Sequence, residues 1–213
     1  MPLQIEMVFG IVVLVFSAIL HEVAHGVMAQ ALGDPTARLE GRLTLNPIKH
    51  IDPMGSIFLP LILVISNAPL LFGWAKPVPY NPFNLKKGGR WAEALVAGAG
   101  PLTNLVLAIT FGFVVQALVA LGAPSGTTAL AFSIVVINVM LTLFNLIPIP
   151  PLDGSKVLAS LLPKFLAIQY DRLRQVLEFN PLAGFGLVIL FVVVFGNYFT
   201  GTVIQIAQFL AGA

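Results

Sequence analysis

The sequence predicts an all-α polytopic membrane protein: about four spanning helices, a re-entrant or interfacial segment, and a small β element at the membrane surface. Three observations predict it. Of the 213 residues, 58% are hydrophobic, above the average for a soluble domain. Only 9% are charged, against about 25% in soluble proteins. The charges are also segregated: all 11 Lys and Arg fall within residues 34–52, 76–93 and 153–178, leaving long uncharged apolar runs between them. Such a chain has too few charges to solvate a soluble surface, which argues against a soluble enzyme, a nucleic-acid binder or a disordered chain. Cysteine is absent, so disulfides and thiolate chemistry are excluded, and a metal site would have to use His, Asp or Glu.

The elements follow in order. A spanning helix needs about 20 mostly apolar residues. Residues 7–32 meet that requirement; they carry ionisable groups and follow no basic stretch, so they do not read as a cleavable signal. Residues 38–45 alternate polar and apolar, the period of a strand with one apolar face. Residues 54–72 are apolar, but Pro60 and the Asn67-Ala68-Pro69 group interrupt them, which suits a hairpin or surface segment better than a crossing. Residues 92–121 and 128–147 are the second and third spans. Residues 183–199 are the fourth, with a further apolar tail at 203–210. No polar connection is long enough to bury its own core, so 1–213 reads as one integral membrane domain.

Chemistry concentrates in the first span, at His21-Glu22-Val23-Ala24-His25. Charged side chains in a membrane helix cost about 2.5–3.5 kcal/mol each on insertion scales, so ionisable groups there are rare and usually functional. Four residues apart, His21 and His25 share a helix face and lie about 6 Å apart along the axis, the spacing of a two-imidazole clamp for one zinc ion. Glu22 is turned about 100° aside, placed to act on water rather than to bind the metal. A non-hydrolytic metal-binding membrane protein, a transporter or a sensor, accounts for the two histidines but gives Glu22 no role.

A catalytic zinc normally has three protein ligands. The best source of the third is the run Asn145-Leu146-Ile147-Pro148-Ile149-Pro150-Pro151-Leu152-Asp153-Gly154, where prolines unwind the chain and Gly154 lets it turn. Asp153 on that break can aim at an ion between helices; an ordinary helix exit with a solvated Asp fits the same residues. Gly98-Ala99-Gly100-Pro101-Leu102-Thr103-Asn104 is equally open between a packing seam and a functional Asn104. His50 and Asp52 read as an interfacial loop with a helix cap at Asp52, in preference to a second metal or gating site.

Taken together and in this order, His21–His25, Gly100–Asn104 and Asn145–Gly154 resemble the HExxH, GxxxN and NxxPxPxLDG signatures of the site-2 protease family of intramembrane zinc metalloproteases. Gly33-Asp34-Pro35, Asn46-Pro47, Asp52-Pro53 and Gly73-Trp74-Ala75-Lys76-Pro77 extend the likeness to the short bacterial and archaeal branch, over about residues 20–158. The resemblance implies one zinc per chain bound by His21, His25 and Asp153, with Glu22 as general base. It implies that Asn104 and Asn145 contact the substrate backbone or the oxyanion. The partner it implies is a membrane protein with a transmembrane helix; because a helix hides its carbonyls in its own hydrogen bonds, such a substrate must unwind for cleavage, and the expected 38–45 strand offers an edge to the unwound piece. The PDZ and CBS modules of many relatives are absent from these 213 residues, and oligomeric state is not legible.

Charge supplies the expected orientation. If residues 54–72 do not cross, all 11 basic residues lie on one side, which places the zinc side in the cytoplasm and the N-terminus outside a multi-pass cell-membrane protein.

Overall fold

The computed structural model describes residues 3–58, 62, 65 and 76–212. The chain forms a helix bundle: α1 (Leu3–Leu32), a single turn α2 (Thr36–Leu39), α3 (Ala92–Ala120), α4 (Ser125–Asn145), and the shorter α5 (Asp153–Leu161) and α6 (Lys164–Phe179). It ends in α7 (Pro181–Ala211). Four of these, covering Ile5–Leu32, Gly89–Ala120, Ser125–Asn145 and Ala183–Ala211, are long and apolar enough to cross a membrane. The chain is a multi-pass membrane protein.

Helix α3 is central and packs on α1, α4, α5 and α7. Small residues make this possible. Ala108 and Val115 of α3 meet Ala131, Val135 and Val139 of α4 and Val203, Ala207 and Ala211 of α7 in one core. At Gly112 a Cβ would stand 2.6 Å from the Leu210 carbonyl oxygen, so only glycine lets α3 and α7 approach there. Away from these seams the helices present apolar side chains outward, including Met7, Val8 and Ile11 of α1, as lipid contact requires.

The structure corrects one expectation and adds to two other parts of the sequence reading. Residues 38–45 are not a strand, and no strand occurs among the described residues. The segment is the end of α2 followed by a turn with Gly41 at φ 62°. Two local features defeat the alternation: Asp34 bonds the first turn of α2, and Gly41 reverses the chain where a strand would continue. Second, the 153–178 connection folds as two helices, α5 and α6. Third, the fourth span and its tail are one helix of 31 residues. Residues 54–72 lie mostly outside the described residues. At their start, Pro53–Phe58 forms a π-helical turn, and Asp52 Oδ1 accepts from the N–H groups of Met54 and Gly55 as a cap. The flanks of this region meet: Lys76 N donates to His50 O at 2.9 Å, so the chain that leaves after His50 returns to the same place.

Beneath α1, Asp34 ties the connections together. It is wholly buried. Its Oδ1 accepts from Thr36 N, Thr36 Oγ1 and Asn84 Nδ2, and its Oδ2 from Asn81 N. Burial by itself raises the Asp34 pKa, but the Thr36, Asn84 and Asn81 donors outweigh it and hold the carboxyl below the ordinary aspartate value. The folded-state pKa is depressed, so this stabilisation is full above the unfolded value near about 3.9 and is lost as pH falls through the folded value. We expect Asp34→Asn, which turns a donor toward donors, to destabilise the protein by about 2 kcal/mol at neutral pH and to flatten the acid limb below about pH 4. Thermal unfolding in detergent against pH checks this, and an unchanged acid limb would remove Asp34 from it.

Candidate metal centre

The half of α1 nearer its C-terminal end carries the first side chains of the site. His21 and His25 are buried, with ring centroids 4.6 Å apart and planes at 87°. Each ring is fixed from behind by α3. His25 Nδ1 lies 2.7 Å from Val96 O, and His21 Nδ1 lies 2.6 Å from Asn104 Oδ1. A backbone carbonyl only accepts, so His25 carries its proton on Nδ1. Asn104 is oriented by its Nδ2, which donates to Ser17 O and to Asn138 Oδ1, leaving Oδ1 to accept from His21. Asn138 is held in turn by its Nδ2 bond to Ile134 O. Both imidazoles therefore hold Nδ1–H away from the site and turn Nε2 toward it.

The other side comes from the break after α4. Pro148, Pro150 and Pro151 end that helix, and Asp153 opens α5, where the helix N-terminus favours a carboxylate. A side chain at Gly154 would collide with the Leu146 and Ile147 carbonyls, so glycine is required for the chain to fold back. Asp153 Oδ2 then lies 3.1 Å from His21 Nε2 and 3.2 Å from His25 Nε2. Neutral imidazoles with their protons on Nδ1 present Nε2 lone pairs to the carboxylate, an arrangement that a bound cation stabilises. The two nitrogen–oxygen separations fit one: tetrahedral zinc with bonds of about 2.0–2.1 Å spaces its ligands about 3.3 Å apart. Gly100 keeps the space open, since a Cβ there would lie 2.5 Å from both Nε2 atoms. The residues present fit zinc.

Glu22 stands beside this point. One atom each from Glu22, His21 and His25 falls within 4.8 Å of the others. Its Oε2 accepts from Val78 N at 2.8 Å, which leaves the second oxygen for chemistry. Val78 belongs to an irregular strap held by Arg42, whose Nη2 donates to the Lys76 and Pro77 carbonyls. The strap and α5 enclose a cavity of about 180 Å³, lined by His21, Glu22, His25, Val78, Tyr80, Asn145, Asp153 and Lys156 among others.

The structure thus brings His21, Glu22, His25, Asp153 and Asn145 to one cavity. Asn145 donates to Leu141 O and keeps the rest of its amide for the cavity. Asn104 is placed differently from the sequence expectation. It is wholly buried with both ends of its amide engaged, its Oδ1 by His21, and it does not line the cavity. His50, also buried, bonds Thr44 O and stays outside the cavity. Sequence reasoning missed Asn138, the Val78 N–H and Lys156. Only Asn138 carried a signal, as a polar amide in an apolar helix. Lys156 sits three residues after Asp153, its Nζ 5.3 Å from the Tyr80 ring centroid. Burial opposes its charge, but Tyr80, Asp153 and Glu178 outweigh that and hold its pKa above the ordinary lysine value.

A membrane helix bundle that converges two imidazoles and a carboxylate beside a second carboxylate defines a membrane-embedded metal centre by class. Comparison with known proteins agrees. The profile of Peptidase family M50 matches residues 120–193. Over 168 residues the chain is 44% identical to the Bacillus subtilis (strain 168) protein named "Putative zinc metalloprotease YwhC", covering 76% of this chain and 72% of that one. Proteins of the same designation, Rip2, are 31% identical in Mycolicibacterium smegmatis and 32% identical in Mycobacterium tuberculosis H37Rv. Those matches cover 72% and 74% of this chain, and it spans only 58% and 59% of those proteins. No solved structure matches the chain. The chain belongs to peptidase family M50, the site-2 protease family, and is a zinc metalloprotease.

Proposed function

We propose that the protein hydrolyses a peptide bond within or beside a transmembrane helix of another membrane protein, at a single zinc held by His21, His25 and Asp153. The observation that carries this is the convergence of both Nε2 atoms on Asp153 Oδ2 with Glu22 alongside. Bound zinc supplies Lewis acidity toward water and the scissile carbonyl. The chain's residues do the rest. Val78 N pins one oxygen of Glu22, so the other is positioned to take the proton of the attacking water and return it to the leaving amine. Asn104 and Val96 O hold the imidazoles in the tautomer a ligand needs. Asn145 offers its amide to the substrate backbone. A substrate helix hides its carbonyls in its own hydrogen bonds and unwinds before Glu22 can deliver water to one.

The test is reconstitution in lipid vesicles with a tagged single-span protein. Cleavage in or beside the span is expected, stopping on chelation and returning with zinc. A zinc-loaded preparation that cleaves soluble peptides but no spanning substrate would contradict the intramembrane assignment.

The proposed orientation has the zinc end in the cytoplasm, the N-terminus outside, and residues 54–72 not crossing. Helices α1 and α4 both direct their C-terminal ends to the site, and α3 supplies the one crossing between them. The Lys76–His50 bond supports a return to the same side, because 25 residues are too few for two crossings of about 20 residues each. The absence of native cysteine permits labelling with an impermeant thiol reagent. Single cysteines at the exposed Lys49 and Lys86 should both be protected in intact cells and one at Ser125 labelled. Labelling of Lys86 but not Lys49 would refute the arrangement.

A further inference from the structure

With Asn104 wholly engaged behind His21, the carbonyl oxygen that gains charge during hydrolysis has Asn145 as its only neutral side-chain donor among those expected from the sequence. The cavity holds one further cation. Lys156 lies three residues beyond Asp153 on α5, so the two side chains share a helix face, and both line the cavity with Glu22 and the histidines. Among the described residues no carboxylate lies within ion-pair distance of Lys156, although Asp153 and Glu178 are near enough to favour its charge. The face of Tyr80 lies 5.3 Å from Nζ, where it steadies an ammonium without removing its charge. The charge balance points the same way. With a divalent ion bound, Asp153 and Glu22 cancel the metal, and Lys156 leaves the cavity one unit positive, a field that favours an anion.

We propose that Lys156 is a further catalytic residue, stabilising the negative charge that develops on the scissile carbonyl oxygen as water attacks. This rests on the proteolytic reading above. Lys156 exchanges no proton in this role. It remains an ammonium throughout and acts only on charge that exists at the transition state, so its loss lowers kcat and leaves KM little changed.

The probe is a leucine-rich phosphinic pseudopeptide, whose tetrahedral anionic phosphinate mimics the attacked carbonyl, compared with its uncharged amide counterpart by calorimetry on zinc-loaded protein in detergent. Lys156→Met keeps the aliphatic stem and is expected to weaken phosphinate binding roughly 100-fold, with amide binding and zinc content unchanged. Lys156→Arg should recover most of that loss. Tyr80→Leu separates a structural role: if Lys156 only supports the strap through Tyr80, both variants lose the same affinity. Phosphinate binding by Lys156→Met within about threefold of wild type would overturn the inference alone, as would an equal loss in Tyr80→Leu or in the amide counterpart. Zinc-loaded wild type that binds no phosphinate would overturn the proteolytic reading and this inference with it.

Discussion

Glu22→Gln is expected to reduce peptide hydrolysis by about 10²–10⁴-fold while leaving the bound zinc in place. The substitution isolates one property. Gln keeps the size of the side chain and an oxygen that can accept from Val78 N, so the strap stays seated over the cavity. What is lost is the ability to take a proton from water. Because His21, His25 and Asp153 converge without Glu22, metal content should match wild type, and so should thermal stability in detergent. A Glu22→Gln protein that cleaves at the wild-type rate would remove Glu22 from the chemistry. One that loses its zinc would make Glu22 a ligand.

Gly100→Ala should disable the centre from a different helix. The added carbon would stand 2.5 Å from both Nε2 atoms, where zinc–nitrogen bonds of about 2.0–2.1 Å leave no room for it. Relief by movement is expensive, since both rings are anchored through Nδ1 to α3 itself, at Asn104 and Val96. Zinc affinity is expected to fall by more than the roughly 10–100-fold typical of losing an outer-sphere partner. Gly98→Ala, two residues earlier on the same helix, is the control: a Cβ there meets nothing within 4 Å, and zinc should be retained. Metal analysis of the two purified variants decides it, and full zinc occupancy in Gly100→Ala would show that the imidazoles do not converge as described.

How much of the fold and site was legible in the sequence follows from the range of each interaction. The shared face of His21 and His25, with Glu22 turned about 100° aside, needs only helical geometry, so the local sequence specifies it. Four apolar spans were equally plain, because membrane crossing is set by length and hydropathy. Facing direction was not legible. Gly100 and Asn104 announced a close approach and a polar partner, but only the packing of α1 on α3 turns Asn104 toward His21 and the Gly100 surface toward the two Nε2 atoms. The 38–45 alternation failed for the opposite reason: eight residues of period two are outweighed by the bonds from Asp34 to Thr36 and the positive φ of Gly41. Lys156 lay unmarked in a basic connection until Asp153 gave it a helix face and a cavity.

That α1 and the start of α5 hold one zinc between them is tested most directly by zinc analysis of the purified protein, with X-ray absorption at the zinc edge. The predicted result is one zinc per chain in a shell of two imidazole nitrogens and light oxygen ligands, absent from the His21→Ala/His25→Ala double variant. Zinc retained in full by that variant, or a wild-type spectrum without imidazole scattering, would contradict it.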